Sequence, residues 1–278
     1  MLDFEAYLAR IGLAGRPDVA SVHRAHSISI PFENLDPQRG VPVSLAIEDL
    51  ERKLVHERRG GYCFEQNLLL KAALEELGAE VDMYLARVRF GAPPGAVRPR
   101  AHLVLRARLE GEEALHADVG FGLGTLFEPL PWGPGEAHEQ NGWRYRVIDD
   151  GQELVLQGAD GDTWSDLYGF PAQPVPAIDV ETVNWWVCTN PRSPFVSGLM
   201  VTRQDADGTR IVLSDREGLA LSTGTPSGTR VETLQPEQLP QLLASRFGLT
   251  GFTLDETARV VADDAAAVPA RPGADALA

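Results

Sequence analysis

Cysteine is scarce in this chain, with only Cys63 and Cys188 among 278 residues, and no apolar run approaches the ~20 residues that a bilayer span requires. The first scarcity excludes a disulfide framework and suits a reducing compartment; the second excludes a transmembrane helix. The opening stretch MLDFEAYLARIGL lacks the basic start, long apolar segment and small-residue cleavage site of a secretory signal, so export is not expected and the cytoplasm is the default. Basic residues are outnumbered, 25 against 40 acidic, for a net charge of −15. That balance argues against nucleic acid or an anionic membrane surface as a main partner, without excluding a phosphorylated ligand. No internal repeat or phosphate-loop glycine motif stands out. His23 and His26 lack the supporting spacing of a metal site, so no metal is expected.

What is present reads as an α+β chain. Helical periodicity covers 4–11, 17–27, 47–56 and 64–77, with Asp18 and Ser44 as candidate caps and Gly78 as a left-handed stop. Residues 1–80 therefore read as a helical region. From Val81 the period changes to that of strands, in VDMYLARVRF, HLVLRARLE, ALHADVGF, WRYRVID and QELVLQG, so 81–175 is expected to form antiparallel sheet. In 176–260, NWWVCTN, GLMVTRQ, TRIVLSD, GLALSTG and RVETL read as strands before a helix near 236–247, making a mixed third lobe. Residues 261–278, rich in Ala and Pro, are expected to be a disordered tail.

The chemistry concentrates in Arg59-Gly60-Gly61-Tyr62-Cys63-Phe64-Glu65-Gln66-Asn67. A cysteine opening a helix sits at its positive end, and Arg58 and Arg59 beside it favour thiolate. Gly60 and Gly61 can take backbone angles closed to other residues and admit a substrate. An unpaired cysteine is more often a small buried hydrophobe, so a catalytic reading needs a base and an orienting carboxylate. Strand parity supplies both. Leu103, Leu105, Ala107 and Leu109 form one apolar face, and Leu115, Ala117, Val119 and Phe121 another, so pairing odd with odd puts His102 and Asp118 together on the opposite face. That pairing requires an odd-length loop near Glu110 to Glu112 or a bulge, and the helix carrying Cys63 is the natural cover for the shared face. Cysteine supplies a nucleophile, histidine accepts its proton, and a carboxylate fixes the imidazole tautomer. Gly120 and Gly122 leave room for a bulky thioester. Six arginines between Val81 and Glu110 form either an anion-binding patch or a solvated face. His116 shares the face of His102 and Asp118 and reads as a sheet-surface histidine, with a supporting role behind the site as the alternative; Cys188 reads as core, and Glu33 and Asn34 as loop braces.

RGGYCFEQN, with Pro31-Phe32-Glu33-Asn34-Leu35 upstream and His102, Asp118-Val-Gly-Phe-Gly, Asn184-Trp185 and Ser193-Pro194-Phe195-Val196 downstream, resembles the arylamine N-acetyltransferase family. The resemblance implies a helical bundle, a β-barrel and an α/β lid, with a papain-like arrangement of Cys, His and Asp. It implies a ping-pong transfer from acetyl-CoA, through acetyl-Cys63, to a small aromatic amine or hydrazine. On motif position, Cys63 would be the nucleophile, His102 the base and Asp118 the orienting acid. Gly120 and Phe195 would contact the coenzyme, and Phe32, Phe90 and Phe195 would line the acyl and amine pocket. Phe90 and Ala101 stand where many bacterial members carry Trp and Thr. An amide synthase that releases a polyketide chain with the same triad is the alternative.

Overall fold

The computed structural model describes residues 1–93, 96–255 and 260–262, the last two by backbone only. Short polar side chains start the first helices: Asp3 accepts the Ala6 amide to open α1 (Phe4–Ile11), and Asp18 accepts that of Ser21 to open α2 (Val19–Ser29). After β1 (Phe32–Glu33) and α3 (Leu35–Gln38), helix α4 (Ile47–Leu50) runs into a π-helical turn, Glu51–His56. Its cap is Ala46, not Ser44, whose hydroxyl instead accepts the Ala46 amide. Helix α5 (Cys63–Glu76) places Cys63 at its first position and ends before Gly78, which takes φ 87°.

The middle of the chain forms one antiparallel, nearly closed eight-stranded barrel: β2 (Glu80–Val88), β3 (His102–Arg108), β4 (Leu115–Ala117), β5 (Leu130–Pro131), β6 (His138–Gln140), β7 (Trp143–Asp149), β8 (Leu154–Asp160) and β9 (Thr163–Phe170). The strand order is β5-β4-β3-β2-β9-β8-β7-β6. Across the gap between its ends, Gln140 accepts the Phe127 amide at 2.9 Å and donates to the Glu128 carbonyl at 2.8 Å. Leu105 pairs with Ala117 and Ala107 with Leu115, the odd-with-odd register that side-chain alternation requires.

The two faces of β3 and β4 enter two different cores. Leu103, Leu105, Ala107, Ala117 and Val119 pack with Phe64, Leu69, Leu70 and Ala73 of α5. Val104 points into the barrel, among Tyr84, Phe121, Tyr168 and Phe170. The helix carrying Cys63 therefore covers the apolar face and not the face shared by His102 and Asp118. The barrel's own aromatic interior covers that one, because a closed sheet buries both of its sides.

Of residues 184–190, read as a strand, 184–189 are helical instead. They belong to α6 (Ala177–Thr189), whose buried Val180, Asn184, Val187 and Cys188 follow a 3.6-residue period that outweighs the β propensity of Trp-Trp-Val-Cys-Thr. A short turn, α7 (Pro194–Ser197), leads into β10 (Met200–Gln204), β11 (Arg210–Ser214), β12 (Ala220–Thr225) and β13 (Gly228–Thr233). These form a second sheet whose first strand is β1, with Phe32 opposite Thr202.

The chain divides into two compact units, Met1–Leu234 and Gln235–Ala278. In the second, a 3₁₀ turn (Pro236–Gln238) leads into α8 (Leu239–Phe247), and β14 (Phe252–Leu254) pairs with β15 (Val260–Ala262). The tail expected over 261–278 lies outside the described residues apart from the backbone of 261 and 262. Among the described residues no helix is long and apolar enough to cross a membrane.

Candidate active site

His102 and Asp118 meet on the inward face of the barrel at 2.7 Å, Nε2 to Oδ2. A carboxylate has no proton to give, so His102 donates from Nε2 and keeps a lone pair on Nδ1. Asp118 accepts three further donors: the Tyr168 hydroxyl at 2.7 Å on Oδ2, and Asn67 Nδ2 at 2.8 Å and the Gly120 amide at 2.9 Å on Oδ1. Burial alone would raise the Asp118 carboxyl; His102, Asn67 and Tyr168 outweigh it and hold the pKa at about 2. The residue is thus ionised although fully enclosed. Its backbone amide donates to His23 Nε2 at 3.1 Å, and His23 Nδ1 donates to the Phe127 carbonyl at 3.2 Å.

Cys63 reaches the site around the end of the sheet. Asn67, one turn further along α5, donates to the Leu103 carbonyl at 2.7 Å and accepts the Val119 amide at 2.9 Å. Leu103 and Val119 would be the next odd pair of the ladder, so a helix side chain stands where strand would have met strand. Gly120 has no room for a Cβ, which would lie 2.7 Å from the Cys63 Cα and 2.9 Å from Asn67 Nδ2. Backbone of the loop and backbone of the helix therefore touch only because residue 120 is glycine.

The thiol is not the pre-ionised group that its neighbours in sequence suggest. Burial, with the charge of Asp118, pushes the Cys63 pKa upward. Arg59 turns away to Glu33 at 2.6 Å and Asp36 at 2.9 Å, and Arg58 is exposed. The Cys63 sulfur lies 3.7 Å from the Ala101 carbonyl. Gly60 and Gly61 also have a different purpose from the one expected. Neither takes a positive φ; a Cβ on Gly60 would overlap the Pro31 carbonyl, and one on Gly61 would lie 2.8 Å from Glu65. Their smallness packs the turn against its own scaffold.

A cleft of about 660 Å³ joins Cys63, His102, Gly120, Phe32, Phe90 and Phe195. Six of the seven residues singled out from the sequence thus share one cavity, and Asp118 stands behind His102. Phe32 and Phe195 have ring centroids 5.9 Å apart, while Phe90 is 42% exposed. Asn34 holds the Phe195 segment by donating to the carbonyls of Phe195 at 2.8 Å and Gly198 at 2.6 Å, and Glu33 accepts Arg59 and the Leu35 amide. Both act as the braces expected.

The arginine run is not a free basic patch. Arg89 is held by Asp150, Glu153 and Asp166, Arg100 by Glu153, Arg106 by Asp82 and Arg108 by Glu80, mostly acids of other strands. Arg98, Arg192 and Arg216 line the cleft and make no ion pair among the described residues.

The family model described as N-acetyltransferase matches residues 18–254. The chain belongs to the arylamine N-acetyltransferase family. It is an acyltransferase by that membership. It is 39% identical to an arylamine N-acetyltransferase of Mycolicibacterium smegmatis, over 89% of this chain and 92% of that protein. Among solved structures it superposes on the Mycobacterium marinum arylamine N-acetyltransferase in complex with CoA, with a TM-score of 0.84, 38% identity and coverage of 89% and 93% of the two chains. The Salmonella typhimurium enzyme matches with a TM-score of 0.82 and 31% identity, covering 92% and 94%. These arylamine N-acetyltransferases do not favour the amide-synthase alternative.

Within this family member, Asn67 and Tyr168 are the site residues that the sequence reading missed. Asn67 lies four residues from Cys63 on one helical face, a spacing that was available. Tyr168 lies on β9 beyond a bulge that breaks the strand's alternation, so that Trp164 faces out under Arg146 while Tyr168 and Phe170 face in, and simple parity does not find it. His116 is not on a sheet surface but fully buried inside the barrel.

Proposed function

We propose that this protein transfers an acetyl group from acetyl-CoA to a small aromatic amine or hydrazine by a ping-pong cycle through acetyl-Cys63. The carrying observation is the His102–Asp118 pair, with His102 in the same cleft as the Cys63 thiol. His102 takes the thiol proton as the sulfur attacks the thioester carbonyl carbon. The carbon–sulfur bond to coenzyme A breaks, and the departing thiolate takes up the proton from His102. The amine then attacks the acetyl-cysteine carbonyl, the Cys63–carbon bond breaks, and the amine proton returns to the cysteine by way of His102. Asp118 stays ionised throughout, holding the tautomer and stabilising the transient imidazolium.

Arg98, Arg192 and Arg216 suit the phosphates of the coenzyme, since they are cationic, line the cleft and are not spent on carboxylates. Gly120 lines the same cleft and offers its backbone to the coenzyme. Phe32, Phe90 and Phe195 supply apolar wall for the acyl group and the acceptor ring. Two free, buried cysteines suit the cytoplasm. Intact-protein mass spectrometry after acetyl-CoA alone should find one acetyl adduct on the wild type and none on Cys63→Ala. An unmodified wild type, or an adduct that survives the substitution, would overturn this function.

A further inference from the structure

Behind Asp118 the barrel interior holds a histidine for which the acyl-transfer cycle has no step. His116 is fully buried, and its ring stacks at 14° to that of Tyr168 and at 27° to that of Trp132, with Phe170 alongside. Its Nε2 lies 2.8 Å from the Tyr168 oxygen, and that oxygen lies 2.7 Å from Asp118 Oδ2.

The Tyr168 hydroxyl has one hydrogen and two neighbours. The carboxylate can only accept, so the hydrogen goes to Asp118 and His116 must donate from Nε2. Its Nδ1 is then a bare lone pair, buried without a hydrogen-bond partner among the described residues. The opposite tautomer would strand an N–H at that position and leave one hydrogen for two acceptors. Apolar side chains would fill this aromatic site without an orphaned nitrogen. What imidazole adds is a single N–H, and that N–H touches only Tyr168.

We infer that His116 is a positioning residue of the transfer reaction: it fixes the Tyr168 hydrogen on Asp118 and thereby sets how much carboxylate charge is left to act on His102. The inference rests on the triad reading proposed above. Hydrogen bonds in a chain polarise one another, so the donor on Tyr168 strengthens the bond from Tyr168 to Asp118 and weakens the hold of Asp118 on the His102 proton. Other titratable groups near His116 are His102 and His23, together with Arg106 opposite it on β3, which is paired to Asp82. Burial keeps His116 neutral down to about 4, so its donor arrangement persists through neutral pH. Loss of the chain leaves more of the Asp118 charge to act on His102.

The test is a double-mutant cycle read on the pH profile of Cys63 acetylation by p-nitrophenyl acetate in single turnover. Tyr168→Phe should move the acid limb to higher pH and change the rate there by about tenfold, and His116→Leu should move it the same way by about threefold. His116→Gln, which keeps a donor, should restore the profile, and His116→Leu should add nothing once Tyr168 is Phe. Effects that multiply in the double variant, or a His116→Leu protein whose Tm falls while its pH profile stays put, overturn the inference. Imidazole ¹⁵N shifts of the unaltered protein give a readout that no folding defect can blur: the Nε2–H tautomer at His116 is expected, and the Nδ1–H tautomer overturns it. Failure of the unaltered protein to acylate at Cys63 removes the triad reading itself; acylation with an additive cycle removes only the role of His116.

Discussion

Glu65 and Asn67 sit two residues apart on α5 and belong to two buried polar clusters of opposite construction. Glu65 joins Lys53, which it meets at 2.6 Å; Lys53 meets Asp36 at 2.6 Å, and Arg59 ties Asp36 to Glu33. With Arg39, 3.7 Å from Asp36, three carboxylates and three cations are packed into one site, and burial pushes Glu65 up to about 7 even against the pull of Lys53. Asn67 joins Asp118, whose other donors are His102, Tyr168 and a backbone amide. That cluster holds a single charge among neutral, directional groups. The ion cluster fixes the turn that presents Cys63, and the hydrogen-bonded cluster sets what His102 can do. Dense charge gives position; one aimed charge gives reactivity.

The sharpest way to break this contrast is Asp118→Asn. An amide has one accepting oxygen for the two pairs of donors, His102 with Tyr168 and Asn67 with Gly120; with that oxygen turned to Asn67 and Gly120 its NH2 faces His102 and leaves the imidazole in the wrong tautomer, so turnover should fall by about 10⁴-fold while the protein stays folded. Steady-state kinetics with a hydrazine acceptor, alongside circular dichroism, reads this, and a loss smaller than about tenfold would end the one-charge account. Lys53→Met should do the reverse. Two buried carboxylates lose their shared cation at a cost of about 3–5 kcal/mol by urea unfolding, while turnover per folded molecule is nearly unchanged. An unaltered urea midpoint would mean that the cluster does not hold the turn.

The smallest effect per group is in pH. Burial lowers the pKa of His23 and His116 to about 4 and of His26 to about 3. Their unfolded value is about 6.5, so below it the unfolded chain binds protons first, and stability falls as pH drops toward 4 by at most about 1.4 kcal/mol per histidine per unit. Asp118, held at about 2, adds its loss only as pH falls below its unfolded value. Glu65 runs the other way: its raised pKa gives stability that is present below its unfolded value and lost as pH rises through about 7. Urea unfolding across pH should therefore give a Glu65→Gln variant with a flatter alkaline side and an unchanged acid side. A change on the acid side instead would show that the two clusters are not separate.

Much of this site was legible in the sequence because it rests on rules of local geometry. Side-chain alternation alone put His102 and Asp118 on one face, and a glycine turn before a helical period put Cys63 at a helix start. Charge was the part that could not be read. Arg59 stands four residues from Cys63 in the chain, yet its partners, Glu33 and Asp36, lie more than twenty residues away in sequence. Arg89 and Arg100 likewise find their acids at 150, 153 and 166. The same holds for 184–189, where strand-forming side chains are bent into a helix by what Val180, Asn184 and Cys188 bury.

The Asn67 amide between Leu103 and Val119 bears on the order of assembly. Without it, β3 and β4 would keep zipping past Leu105 and Ala117, or leave two buried backbone groups unmatched. The barrel therefore cannot finish this edge by itself, and the helix cannot seat Cys63 until the edge stands open. Each half is a template for the other. The helix that carries the nucleophile and the sheet edge that carries its base and acid are thus completed by the same two hydrogen bonds of one amide side chain.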